Sequence, residues 1–504
     1  LSLALGIVVR LVQYLSNRSL WFDEVALVLN LQERSYPQLL GALSYDQAAP
    51  PLFLWVEKFA LDTLGNHEYA LRLYPLLGGL LSLGIFYRLT RTFATGWARP
   101  IAIFLFAVQS YIIYFAGEVK PYSWDVTLGL LLFMAIASLN TLRPSLKRVL
   151  GVGILGVVSI WLSFPSILVM AGVEATNVIR LKLWQASRSD WQAFLLRRLP
   201  LYAAWIISLG ALYMGVVSQT LAETDLATSW ADRYPEGWLD WLWLLDSFGS
   251  FFYRPLGFFS PADGLAIAAF LVGAIYLYRT QKWRLAYLLS PFAVTIVAAY
   301  LHKYPFKDRL ILFLVPYALV ILAEGMALLI RRWRKPRQAL PKVLGAAGLA
   351  LAISLLVLPL GKTLPLLVQP GKAHFDDVRP AIAYVHQHWQ PGDKFYVFPW
   401  SQLQFQYYKT RFDLPPDDIV LSQMQEFGLS HLRDDDLQKL SQEINQLEAG
   451  PLRNKPRVWF LLSRKNADAE AAILERLDQL GAPVERTRYA GAVISLQNFS
   501  KPSP

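Results

Sequence analysis

The chain has 504 residues, a mean hydropathy of +0.34, 55% hydrophobic residues and only 17% charged ones, where a soluble chain carries roughly 25% charge. Cysteine is absent, which excludes a disulfide framework and thiolate chemistry. The formal charge of +11 lies in short loops rather than along a basic stripe with interleaved aromatics, so membrane orientation explains it and nucleic acid is not an expected partner.

Apolar runs close to the ~17–25 residues that cross a bilayer predict eleven spans, at 1–15, 71–88, 100–115, 123–140, 149–163, 165–179, 200–217, 264–278, 284–301, 309–330 and 341–360. The chain begins at Leu1 inside an apolar run without a Met, so residues upstream or a late start of the numbering are expected. The first run reads as a span, not a signal peptide, because no small-residue cleavage pattern follows it. Alternate loops hold twenty cations against one acid, Asp190: Arg88, Arg91 and Arg99; Arg143, Lys147 and Arg148; Arg180 to Arg198; Arg279, Lys282 and Arg284; and Arg331 to Lys342. That segregation predicts these loops inside, the amino terminus cytoplasmic and the chain's end extracytoplasmic. The odd number of spans follows from the same alternation.

Three segments on the predicted outer side are long. Residues 16–70 form the first loop. Residues 218–263 form a Trp-rich loop (Trp230, Trp238, Trp241 and Trp243) whose amphipathic pattern predicts one or two helices in the interface, either as an aromatic belt or as a wall against a lipid substrate. Residues 361–504 form a soluble tail, the transmembrane domain being 1–360. In the tail, helical patterns at 378–389, 432–447 and 467–480 alternate with strand-like runs at 394–398, 418–421, 457–462 and 492–496, which predicts a small α/β domain. No glycine-rich phosphate loop occurs there: Gln390-Pro-Gly-Asp393 is a turn. His386 and His388 stand two apart, so they do not face each other on a helix and no metal site is expected of them or of His374. Tyr407 and Tyr408 read as core in preference to a sugar-stacking surface.

Charges at a membrane boundary are costly and mark function. The first loop opens with Ser19-Leu-Trp-Phe-Asp23-Glu24; taken alone, the two carboxylates read as caps for a following helix. The same loop continues through Tyr45-Asp46-Gln47-Ala-Ala-Pro50-Pro51-Leu52 to Glu68-Tyr-Ala-Leu-Arg72, where span two begins. The next predicted outer turn reads Glu118-Val-Lys120-Pro121-Tyr122-Ser-Trp124-Asp125, and the last reads His302-Lys303-Tyr304-Pro305-Phe306-Lys307-Asp308-Arg309. Acids and bases from four separate segments thus fall on one predicted side, which capping does not explain.

This order of motifs, over roughly residues 1–330, resembles the family 39 branch of the GT-C glycosyltransferases, which includes protein O-mannosyltransferases and the lipid A aminoarabinose transferase. The resemblance implies a polytopic α-helical enzyme of the cell (inner) membrane that transfers a sugar from a polyprenyl-phosphate donor to an acceptor hydroxyl or amine outside. It maps the family's base onto Asp23. A carboxylate in that role takes the acceptor's proton as attack develops. The phosphate leaving group needs charge neutralisation rather than an acid, for which Arg72, Lys120, Lys307 and Arg309 are candidates, with Tyr122 and Asp46 as further donor contacts. Glu24 and Glu118 would orient Asp23, bind a sugar hydroxyl or hold a cation. Oxygen ligands such as Asp23 and Glu118 suit Mg²⁺ or Mn²⁺. Two departures from the family pattern are Ala49, where His precedes Pro-Pro, and Lys120, where Arg is frequent; both touch donor binding. The other function classes are a lipid or solute transporter, against which the spans show no inverted repeat, and a scaffold whose tail recruits partners.

Overall fold

The computed structural model describes residues 1–223, 230, 233–334, 340–368, 377–423, 438–439, 442–443, 445–446, 450, 452, 454–463 and 467–500. Two compact units are present. One comprises Leu1–Ser16 and Asn30–Pro370, the other Asn17–Leu29 and Gly371–Pro504.

The first unit is helical. In chain order the helices are α1 (Ser2–Leu15), α2 (Phe22–Glu33, from Asn30 in this unit), α3 (Pro51–Leu64), α4 (Glu68–Phe93), α5 (Ala98–Val108), α6 (Ser110–Phe115), α7 (Tyr122–Ala137), α8 (Leu146–Leu162), α9 (Ser166–Arg180), α10 (Arg188–Leu212), α11 (Trp241–Tyr253), α12 (Ala262–Tyr300), α13 (Val315–Arg334) and α14 (Leu340–Val368). Among the described residues five helical runs are long and apolar enough to cross a membrane: 68–93, 188–220, 262–300, 308–331 and 346–368. Shorter apolar helices accompany them, and each of the eleven predicted runs falls on helix. The two runs predicted at 264–278 and 284–301 meet without a loop, at a kink where Gln281 leaves helical geometry (φ −149°, ψ 55°). Ser163 is extended (φ −156°, ψ 110°) and ends α8, and Pro165 stands at the cap of α9.

Local chemistry sets the other boundaries. Pro51 sits at the first position of α3, where its missing N–H costs nothing. Ser187 and Asp240 cap α10 and α11 by accepting from Asp190 N (3.2 Å) and Trp243 N (2.9 Å). Gln109 interrupts the helix between α5 and α6 (φ −68°, ψ 118°), and the carbonyls freed there are taken by distant side chains. Arg10, fully buried in α1, donates to Ala107 O (3.4 Å) and Phe106 O (3.5 Å), and Thr363 Oγ1 donates to Val108 O.

Two contacts differ from what charge and size suggest. Arg198, counted among the inner-loop cations, lies within α10, because that helix begins twelve residues before its apolar run; it is fully buried and paired with Glu174 of α9. It also donates to Leu139 O. Glu174 further accepts from Tyr202 Oη and from Asn177 Nδ2 (2.8 Å), and Asn177 Oδ1 accepts from Tyr287 Oη (2.6 Å). Gly273 of α12 and Gly325 of α13 allow backbone contact: a Cβ at either would stand 1.9 Å from a carbonyl oxygen of the other helix, Ile321 O or Ala269 O. Small residues are what permits helices in lipid to approach this closely.

The second unit carries a five-stranded sheet of order β2-β1-β3-β5-β4, from β1 (Lys394–Val397), β2 (Ile419–Leu421), β3 (Val458–Ser463), β4 (Ala482–Tyr489) and β5 (Ala492–Asn498). β1 runs parallel to β2 and β3, while β5 runs antiparallel to β3 and β4. The central β3 is buried along its length, as its unbroken Val-Trp-Phe-Leu-Leu run requires. With α15 (Val378–Gln387), α16 (Gln402–Tyr408) and α17 (Ala467–Leu480) this is the expected α/β arrangement. The predicted helix at 432–447 falls mostly outside the described residues. β4 was not expected: Glu485, Arg486 and Arg488 make it a charged edge, which discourages pairing with other chains.

Candidate functional site

In the second unit the Asp-Glu pair opens a helix. Trp21 precedes α2, and Glu24 reaches back so that its Oε2 accepts from Trp21 N (3.2 Å) while pairing with Arg18 Nη1 (3.3 Å). This is one half of a capping box, so Glu24 holds the start of α2 in shape. Asp23 lies beside it in the first turn and is buried, where a carboxylate also suits the positive end of the helix dipole. The stretch leading to this turn is tied to the tail. Leu20 N donates to Tyr408 Oη (2.7 Å), Ser19 Oγ donates to Asp377 Oδ1, Arg379 N donates to Ser19 Oγ (3.3 Å), and Arg379 Nη2 donates to Asn17 O. None of these tail partners carries a signal in the sequence, because each acts through one side chain or amide more than 350 positions away. Tyr407 and Tyr408 are buried, as the core reading expected, with Arg411 4.9 Å over each ring.

In the first unit the start of α7 collects the remaining candidates. Glu118 and Lys120 stand in the turn that precedes it and both are buried. Tyr114 Oη donates to Glu118 Oε1 (3.4 Å), and Lys120 Nζ donates to Gln47 Oε1, which draws the first-loop element onto this turn. Asp46, next to Gln47, is exposed and follows Tyr45 through two left-handed positions (φ 64° and 50°), a conformation that Asp tolerates better than most residues. Arg309 enters from the segment before α13 and lies 5.7 Å over the ring of Tyr122. Lys307, two residues earlier, is exposed.

Arg72 and Glu68 sit buried in the first turns of α4. That end of α4 packs on α7 by a stack of Tyr74 on Trp124 (4.6 Å) and by Ser123 Oγ donating to Pro75 O (2.8 Å). The unit therefore brings Gln47, Glu118, Lys120, Tyr122 and Arg309 together, with Arg72 on the helix packed beside them. Gln47, Tyr74 and Trp124 were not among the residues singled out in the sequence.

The Trp-rich loop contributes α11, one of the one or two helices expected. Its inner side places Phe251 and Phe252 in the core, whereas Trp238, Trp241, Leu242 and Leu245 are all more than 60% exposed. Trp238 stacks on Tyr300 (5.8 Å, 11°), and Tyr234 stacks on His302 (5.0 Å) in the turn that leads to Arg309. Burial raises the pKa of Tyr304 in that turn well above the tyrosine norm; its hydroxyl donates to Leu310 O (2.7 Å).

Asp23 and Glu118, the expected ligands of Mg²⁺ or Mn²⁺, belong to different units. Among the described residues no three His, Asp or Glu side chains form a group able to hold a cation. His374 lies outside the described residues; His388 stacks on Tyr384 (4.1 Å).

No protein-family model and no curated protein matches the chain. Among solved structures, ArnT from Cupriavidus metallidurans in the apo state matches over 99% of this chain and 98% of its own, with a TM-score of 0.51 at 14% identity. The oligosaccharyltransferase of Archaeoglobus fulgidus, solved with zinc and sulfate, matches over 98% of this chain and 73% of its own, with a TM-score of 0.51 at 11% identity. The chain shares the fold of both, the polytopic helical fold that the order of its motifs implied.

Proposed function

We propose that the chain is an integral-membrane glycosyltransferase that moves a sugar from a polyprenyl-phosphate donor to an acceptor hydroxyl or amine at the extracytoplasmic face of the membrane. The observation that carries this reading is the gathering of Glu118, Lys120, Tyr122 and Arg309 at the start of α7, in a fold shared with ArnT and an archaeal oligosaccharyltransferase. Fold alone does not set function; the acids and bases collected there supply the chemistry that the reaction needs.

In this reading Asp23 takes the proton from the acceptor as its oxygen or nitrogen bonds to the anomeric carbon. The bond from that carbon to the phosphate oxygen breaks on the opposite face, so configuration inverts and polyprenyl phosphate departs. Arg309, Lys120, Arg72 and Lys307 neutralise the phosphate, and such fixed charges act strongly where water is excluded. Tyr122 and Asp46 contact the donor, and Glu118 binds a sugar hydroxyl. Residues 1–360 form the membrane-embedded catalytic domain, and 361–504 a domain outside the membrane that helps select the acceptor.

The test is transfer of a radiolabelled sugar from its polyprenyl phosphate in proteoliposomes, parent against Asp23→Asn. The parent should transfer, and the variant should lose turnover while binding donor as before. Undiminished turnover in Asp23→Asn refutes the base assignment, and no transfer by the parent to any hydroxyl or amine acceptor refutes the activity.

A further inference from the structure

We infer that Tyr408, with Asp377, positions the segment that carries Asp23, so that the tail sets the placement of the proposed base as well as the choice of acceptor. The inference rests on the assignment of Asp23 above, and it starts from a fact about the fold: residues 17–29 belong to the same compact unit as the tail.

Only six residues separate the end of α1 at Leu15 from the start of α2 at Phe22. Asn17 turns left-handed there (φ 46°), a conformation that Asn adopts more readily than most residues. What surrounds it is the tail. Asn17 O and Ser19 Oγ are held by Arg379 and Asp377 at the start of α15, and Leu20 N is held by the hydroxyl of Tyr408 at the end of α16. Asp377 is fixed in turn, its N donating to Ala490 O (2.7 Å) in the turn between β4 and β5. Ser19 and Tyr408 are buried, and the bond from Leu20 N to Tyr408 lies away from water.

From Leu20 the placement passes to Asp23 through one turn of chain that has little freedom. Glu24 ties Trp21 N to Arg18, which closes Arg18 to Glu24 into a small rigid loop with Asp23 inside it. Loss of the Tyr408 hydroxyl leaves Leu20 N without its acceptor and frees the stem of that loop, while the ring still fills its space. A base displaced by about 1 Å costs on the order of 100-fold in rate. Tyr408 is on this account a positioning residue, acting through Leu20.

The experiment compares parent, Tyr408→Phe, Asp377→Asn and Asp23→Asn as full-length proteins in nanodiscs, by transfer kinetics and by hydrogen exchange of the amides of residues 17–24. Tyr408→Phe should lower kcat about 10- to 100-fold with the donor KM unchanged, and should speed exchange in 17–24 while leaving the strands of the sheet protected. Asp377→Asn should do the same to a smaller degree. Undisturbed exchange in 17–24 in both variants overturns the anchoring. Faster exchange with a normal kcat, or a loss confined to donor KM, overturns the positioning role. Full activity in Asp23→Asn instead removes the base assignment, and the exchange result then still reports on the anchor by itself.

Discussion

Replacing Glu174 with glutamine should destabilise the first unit by about 3–5 kcal/mol, the cost of leaving a buried charge without its partner. Arg198 is fully buried, and Glu174 is the carboxylate paired with it. The amide oxygen of glutamine still accepts from Arg198 or Tyr202, but its nitrogen must face Asn177 Nδ2, itself a donor (2.8 Å from the carboxylate). A buried donor facing a donor adds about 1–3 kcal/mol. Alternative partners available to a chain unfolded within the membrane reduce the total, which keeps the expectation in the stated range.

The double variant Glu174→Leu/Arg198→Met removes both charges at similar volume and should lie within about 2 kcal/mol of the parent. Reversible unfolding in mixed micelles, followed by tryptophan fluorescence, measures all three proteins. A Glu174→Gln protein within about 1 kcal/mol of the parent, or a double variant less stable than the single, would refute the view of this pair as a mutually dependent buried lock.

Gly273→Leu should lower the unfolding temperature and yield of folded protein, because a side chain there meets the carbonyl of Ile321 and overpacking costs about 1–3 kcal/mol or more; Gly84→Ala, which meets nothing within 4 Å, is the control. Arg309→Ala should raise the donor KM or Kd about tenfold at unchanged thermal stability, since an Arg–phosphate contact is a charge-assisted one; equal affinity in a donor-binding assay would count against it. Burial in the sheet core raises the pKa of Tyr396, so the tail is stabilised by keeping that phenol protonated. This stabilisation is complete below the unfolded tyrosine pKa of about 10 and declines above it by up to 1.4 kcal/mol per pH unit. Tyr396→Phe should flatten the alkaline decline, and an unchanged alkaline profile would contradict the assignment. A reporter enzyme active only outside the cytoplasm, fused after Val368, should be active; silence there combined with activity after Arg334 would reverse the orientation.

The helix bodies were legible because an apolar run depends only on its own neighbours, whereas the caps at Ser187 and Asp240 and the start of α3 at Pro51 were not read from the sequence. The same locality explains the misses. Arg198 resembles a loop cation until Glu174, 24 positions away, is seen to face it. The helix α3 was hidden inside what read as an outer loop, because it buries Glu57 along with its apolar residues and so lacks a clean stripe. β4 carries Glu485, Arg486 and Arg488 close together, which looks like turn composition. At the candidate site the charged residues were visible as motifs, and the ties that hold them were not: Gln47 to Lys120 spans 73 positions and Tyr408 to Leu20 spans 388.

That last separation has a consequence for biosynthesis. Leu20 leaves the ribosome long before its acceptor exists, and at about 5–20 residues per second the delay is roughly 20–80 s. Throughout that interval the nascent helices insert while the stretch around Asp23 has no place to settle. Under the proposed function, a chain halted before Tyr408 would be inserted with the segment of Asp23 unanchored, and its transfer would be slowed at least as far as in Tyr408→Phe.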